Sequence, residues 1–175
     1  MPLVKPCGGG PSSDEHSEQR LARQRIVHVI RANISSIVAS WLEAVKREPE
    51  IGSILISDSE RSQNLPELLW IASNIAEGKH LPIEDRNTFL EHGALRYKQK
   101  YTAQLLDREA RVLQSSVAEC IQRNLANIAM LHLVPDTIRF MTRLDSLWKV
   151  AARALVRQAY AEIPANRAPA KKVIT

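Results

Sequence analysis

An all-α fold, a helical bundle with long C-terminal helices, is what this sequence predicts, and three observations carry the prediction. Apolar residues recur three and four positions apart through most of the chain, the spacing that lines one face of an α-helix. The one stretch that could form a strand, IGSILIS at residues 51–57, has no second strand to pair with, and an isolated strand leaves its backbone groups unmatched. Only 6 glycines occur in 175 residues, which argues against a nucleotide-binding α/β domain.

Each element follows from local chemistry. Residues 1–11, with Gly8, Gly9, Gly10 and Pro11, have little to bury and are expected to form a disordered tail. A single helical domain is expected over residues 12–163, opening with Ser12 and Glu15 at capping-box spacing. Ile26, Ile30, Ile34, Ile37, Trp41 and Val45 line one long helix, or two joined near Asn33, that runs to Arg47; Pro49 disfavours helical backbone at Glu48. Residues 50–63 read as loop or a helical turn. Asn64, Pro66 and Glu67 open the next helix, whose Leu65, Leu68, Leu69, Ala72, Ile75 and Ala76 face inward until Gly78 ends it. Pro82 starts a helix that uses Phe89, Leu90, Gly93, Ala94 and Tyr97 and weakens around residues 100–102.

From Thr102 to about Leu133 a continuous stripe runs through Leu106, Leu113, Ile121, Leu125, Ile128 and Leu131, and Pro135 is expected to stop it. The final helix, about Asp136 to Glu162, carries two apolar sides. One passes through Ile138, Met141, Leu144, Trp148, Ala151 and Leu155, the other through Phe140, Leu147, Val150 and Ala154. A helix apolar on two sides lies between neighbours or at an oligomer contact. Residues 164–175 read as a polar tail or linker.

Composition narrows the function classes. The net charge of +5, from 24 basic and 19 acidic residues, is a mild excess that a solvated helical surface explains, so nucleic-acid binding is not the first expectation. Cys7 and Cys120 provide neither a metal-ligand spacing nor a disulfide framework, and no apolar run reaches the roughly 18 residues of a membrane span. The N-terminus lacks the basic-then-apolar order of a signal peptide, so a cytoplasmic location is expected. No phosphate-binding glycine loop, G-x-S-x-G, H-E-x-x-H or paired C-x-x-C occurs. The expectation is a protein that is not an enzyme, with no catalytic residues and no metal.

Polar groups on a burying face need a reason, and one cluster stands out. His92 and Arg96 are four residues apart, hence on one helical face with Phe89. Glu109 lies four residues after Leu105 and four before Leu113, at or near the apolar stripe of the following helix. A carboxylate entering a core requires a partner, and the planar fork of Arg96 can grip it bidentately, with His92 as a further donor. The trio is expected to be a structural staple, a switchable polar joint or the floor of a small-ligand pocket. Gly93 supports close packing, because a mid-helix glycine costs about 1 kcal/mol relative to alanine unless a tight crossing offsets it. His132, before Val134 and Pro135, reads as a partner for a helix C-terminus. Trp41, Trp70 and Trp148 read as core or interface anchors. Asp145, between Leu144 and Leu147, reads as a capped polar contact or a solvent-facing group.

The Trp41 helix, LPELL at residues 65–69, Glu91 followed by HGALR at 92–96, EARVL at 109–113 and the final helix from Leu144 and Asp145 to Tyr160 occur in an order that resembles the N-terminal sensory domain of the RsbT co-antagonist family. This RsbR-type input domain is also found at the front of some bacterial histidine kinases. The resemblance covers residues 37–160, and HG-x-x-R followed by E-x-x-x-L is its most specific part. It implies a globin-like fold without haem, a homodimer, and a signal passed to an attached or associated output domain or partner protein of a stress-response or two-component pathway. The sequence departs from the pattern after Arg96, where residues 98–101 lack the expected glycine and Ala110 replaces an aromatic. Two alternatives stand beside it: a haem-binding globin-type sensor using His92 or His132 as axial ligand, and a helical DNA-binding or adaptor protein using Arg139, Arg143, Lys149, Arg153 and Arg157, provided they form one stripe.

Overall fold

The structure is a computed structural model and describes residues 25–162, which form an all-α fold with no strand among the described residues. The expected capping pair Ser12 and Glu15 and both tails lie outside them. Two short helices, α1 (Ile26–Ala32) and α2 (Ile34–Arg47), meet at Asn33, so the two-helix alternative is the one adopted. The Asn33 side chain donates to the Val29 carbonyl at 2.8 Å, a local bond that competes with continuing the helix. Next come α3 (Pro49–Gly52) and α4 (Asp58–Ser62). The second opens with a capping box in which Ser57 and Glu60 satisfy each other's backbone donors at 2.9 and 3.2 Å.

Helix α5 (Leu65–Ala76) opens with Pro66 in its first turn, although the Asn64 side chain makes no cap bond. Helix α6 (Ile83–Lys98) follows Pro82, and α7 (Ala103–Arg123) is capped by Thr102, whose hydroxyl accepts from the Leu105 amide at 3.2 Å. After a 3-10 turn at Leu125–Asn127 comes α8 (Met130–Ala161). Helix α6 packs along α8 in the most extensive helix pair, α5 also leans on α8, and α2 packs on α7. Trp41, Phe89, Phe140 and Leu106 are fully buried where these layers meet.

Three expectations are corrected here. The stripe expected to run to Leu133 ends with α7 at Arg123, because the Asn124 side chain donates back to the Cys120 carbonyl at 2.8 Å and the chain turns. Ile128 is buried outside that helix, and Leu131 is 84% exposed. Pro135 stops nothing: it lies inside α8, on the exposed side of the second turn, where the carbonyl left without a donor can be solvated. His132 is therefore at the N-terminal end of a helix rather than a partner for a helix C-terminus. Of the two apolar sides of α8, Leu144, Trp148, Ala151 and Leu155 on one and Phe140, Leu147 and Ala154 on the other are buried, whereas Ile138 is exposed.

Helices α5 and α6 end alike, with the backbone entering the left-handed region one residue past the cap. Gly78 does so at φ +91° and Lys100 at φ +67°. In each, two bonds close the end: Gly78 to Ile75 and Lys79 to Asn74, Lys100 to Tyr97 and Tyr101 to Arg96, all at 2.9–3.1 Å. A side chain at such a position costs roughly 1–2 kcal/mol. Lys100→Gly is therefore expected to stabilise the protein by about half a kcal/mol, the strain relieved less the extra freedom of glycine in the unfolded chain. Urea unfolding with an unchanged denaturant slope checks this, and a loss of stability would show that Lys100 contributes a contact outweighing its backbone strain.

Candidate functional site

Three helices deliver the polar cluster to one point. Arg96 sits in the last turn of α6, Glu109 in the second turn of α7, and both side chains are wholly buried. The Arg96 Nε donates to Glu109 Oε1 and Oε2 at 3.0 and 2.9 Å, and Nη2 also donates to Oε1. The same guanidinium donates to Gln99 Oε1 at 2.6 Å and to the Arg61 carbonyl at 2.6 Å, which ties it to α4. The Trp41 indole N–H donates to the Glu109 carbonyl at 3.4 Å, so α2 joins the cluster as well. Burial pushes the Glu109 carboxyl up from its ordinary range, while the charge and hydrogen bonds of Arg96 and then the charge of Arg61 pull it down.

A second buried guanidinium was not expected from sequence. Arg61 is 3% exposed; its Nη1 donates to the Ile51 carbonyl at 3.2 Å and to the Tyr101 hydroxyl at 3.1 Å, and its Nη2 donates to the Ile54 carbonyl at 2.9 Å. Tyr101 connects the two arginines, since its ring centroid lies 5.1 Å from the Arg96 guanidinium carbon while its hydroxyl accepts from Arg61. Burial, and then the charge of Glu109, push the phenol up, so it keeps its proton. Two guanidiniums and one carboxylate thus share a site walled from water. Nothing local marks Arg61 for burial in the polar run DSERSQN, but Ser57 and Glu60 have capping-box spacing in the sequence, which signals the helix that carries it.

His92 is placed differently from the expectation. It is buried on the same face of α6, yet neither ring nitrogen has a hydrogen-bond partner, so it adds no donor to Glu109. Its ring instead meets Trp148 edge-on, with centroids 5.1 Å apart, and the Trp148 N–H donates to the Leu106 carbonyl at 3.1 Å. An axial-ligand role would need that imidazole to face a porphyrin, and the Trp148 indole occupies one side of it; His132 is exposed. Next to it, Gly93 lets α6 approach α8 closely: a Cβ there would lie 2.0 Å from the Ala151 carbonyl oxygen. Trp41 and Trp148 are core anchors, but Trp70 is half exposed with the Arg31 guanidinium 5.0 Å from its ring centroid. Asp145 pairs with Lys149 at 2.7 Å.

Burial, and secondarily the Arg96 charge, hold the His92 imidazole well below its ordinary value, so it is neutral in the fold. A depressed value means the unfolded chain binds the proton more readily; the corresponding stability is complete above the unfolded value of about 6.5 and is lost as pH falls toward the folded value. The expected slope below pH ~6 is up to about 1.4 kcal/mol per pH unit from this residue. Urea unfolding at several pH values checks it, and His92→Leu should remove that part of the slope. A variant with the full wild-type slope would assign the acid sensitivity elsewhere.

Comparison of the chain with protein-family models, curated proteins and solved structures finds no match. No group of three or more His, Cys, Asp or Glu side chains able to hold a metal ion occurs among the described residues, and no helix among them is long and apolar enough to cross a membrane. The arrangement that stands out is a buried, cationic polar joint spanning four helices, beside a glycine-permitted crossing.

Proposed function

We propose that this chain is a non-enzymatic signal-input domain: a haem-free, globin-like homodimer that passes a ligand or partner signal to an attached or associated output module of a bacterial stress-response or two-component pathway. The observation that carries the reading is the buried Arg96–Glu109 pair, extended by Arg61 and Tyr101, at the junction of α4, α6 and α7. Buried ion pairs are seldom the most stable way to fill a core, since apolar side chains of the same volume are often as good or better; their best-attested use is to set register or to switch. Here the joint lies beside a strained backbone at Lys100 and one turn along the same helix from the close Gly93–Ala151 crossing, so a shift of α6 would disturb both contacts together. The resemblance of HGALR and EARVL to RsbR-type input domains points the same way.

The dimer surface in this reading is the first turns of α8, where Met130, Leu131, Val134 and Ile138 are all more than 60% exposed. Sedimentation of the wild-type chain should show a dimer at micromolar concentration, and Ile138→Glu should give a monomer with unchanged helicity. The paired replacement Arg96→Met with Glu109→Leu should remain folded and shift the dimer constant by roughly tenfold, the scale of an ordinary coupling energy. A wild-type chain that stays monomeric, or a paired variant with the wild-type constant, counts against the reading.

A further inference from the structure

A groove of about 450 Å³ opens between the C-terminal end of α5, the loop that follows it and the middle of α8. Its floor is apolar, made by Ile75, Leu81, Leu147 and Val150. Its rim is Lys79, His80, Arg143 and Ser146, and no carboxylate lines it. The turn at Gly78 brings Lys79 and His80 over α8, closed by the Lys79 amide bond to the Asn74 carbonyl at 3.1 Å.

We propose that this groove binds a small amphiphilic carboxylate, a medium-chain fatty-acid anion whose alkyl chain lies on the floor and whose head meets Arg143 and Lys79. The volume falls within the range of small-molecule sites, and a site of apolar floor with a few placed polar groups fits a ligand of one apolar and one polar end. Charge selects the sign of the head. Arg143 is exposed and has no ion-pair partner among the described residues. Lys79 pairs with Glu77 at 3.5 Å and donates to Asn74 Oδ1 at 3.2 Å, but that carboxylate is shared with Arg31, which grips it at 2.7 and 2.9 Å, so the Lys79 charge is only partly matched. Arg139 and Lys149 are paired with Asp136 and Asp145, but Arg143, Arg153 and Arg157 have no ion-pair partner among the described residues and, at 100° per residue, fall within roughly 80° of arc on α8, so their positive field favours an approaching anion. A cationic head is disfavoured by the same groups, and an uncharged alcohol gains only the floor.

The site is separate from the buried joint, and its test reads occupancy alone, so it stands or falls independently of the signalling reading. Titration calorimetry of the whole chain with hexanoate, octanoate and decanoate at neutral pH is the experiment. Octanoate is expected to bind one to one with a dissociation constant below about 1 mM. Affinity should rise by up to about fourfold per added methylene until the floor is covered. Octan-1-ol should bind roughly tenfold more weakly, and Arg143→Glu should weaken octanoate by roughly tenfold while leaving the melting temperature of the free protein unchanged. Val150→Glu should weaken all three acids. Equal binding of the alcohol, octanoate affinity unaffected by Arg143→Glu, non-saturating uptake of several molecules, or no heat at about 1 mM would each overturn the proposal.

Discussion

Arg96→Ala is expected to lower the unfolding free energy by about 3–5 kcal/mol at neutral pH, the cost of removing one member of a wholly buried ion pair. The loss exceeds that of the Arg96 contacts themselves, because Glu109 stays in place without a counter-charge, and the Arg61 carbonyl and Gln99 also lose a donor. The size should depend on pH in a defined direction. Without Arg96, only the charge of Arg61 opposes burial at the Glu109 carboxyl, so its folded value rises further; stability from that group is then complete below the unfolded value of about 4.3 and is lost as pH rises through the folded one. The variant should therefore be closest to wild type in acid and furthest from it at neutral pH. Arg96→Lys should fall between, since a point charge cannot reproduce the fork that reaches both carboxylate oxygens. Urea unfolding of the three proteins across pH is the measurement; an Arg96→Ala cost under about 1 kcal/mol, the worth of an exposed pair, would show that the joint is solvated.

Gly93→Ala should be destabilising although alanine is the better helix former by about 1 kcal/mol. The added Cβ would lie 2.0 Å from the Ala151 carbonyl oxygen and 2.7 Å from its carbon, and both are helical backbone that no rotamer change can move aside. Helices α6 and α8 must separate, and overpacking of this kind costs typically 1–3 kcal/mol, occasionally more. Separation also admits water toward His92, one residue away, so the variant should lose part of the acid sensitivity expected of the wild type. Thermal unfolding and the pH slope of stability read the two effects. A Gly93→Ala protein as stable as wild type would mean that the crossing can open at no cost.

The all-helical class and most helix positions were legible because helix formation is governed by spacing that repeats every few residues. Ile26 to Val45, Leu65 to Ala76 and Leu106 to Ile121 each hold their buried face where periodicity puts it. The Arg96–Glu109 pairing was legible for a related reason: a carboxylate on a burying face has to find a cation, and Arg96 emerges from the preceding helix. Legibility failed where a side chain overrode the period. Asn124 bonds back to a carbonyl four residues earlier and ends a helix that apolar spacing alone continues, as Asn33 does at the junction the sequence leaves open between one helix and two. Pro135 misled in the opposite sense, because a proline on an exposed turn leaves a carbonyl that water can serve.

By itself the sequence determined the helical class, the helix end at Gly78, a weakening around residues 100–102, and the demand of Glu109 for a counter-charge, all of which depend on residues close along the chain or on the chemistry of one group. Only the tertiary structure decided that Arg61 is buried with Arg96, that both His92 nitrogens lack partners, that Gly93 meets the Ala151 backbone, and that Ile138 and its neighbours face outward. The physical reason is that burial belongs to whichever surfaces the helices bring together, and a side chain 35 residues away in sequence can close a site that no local spacing foretells.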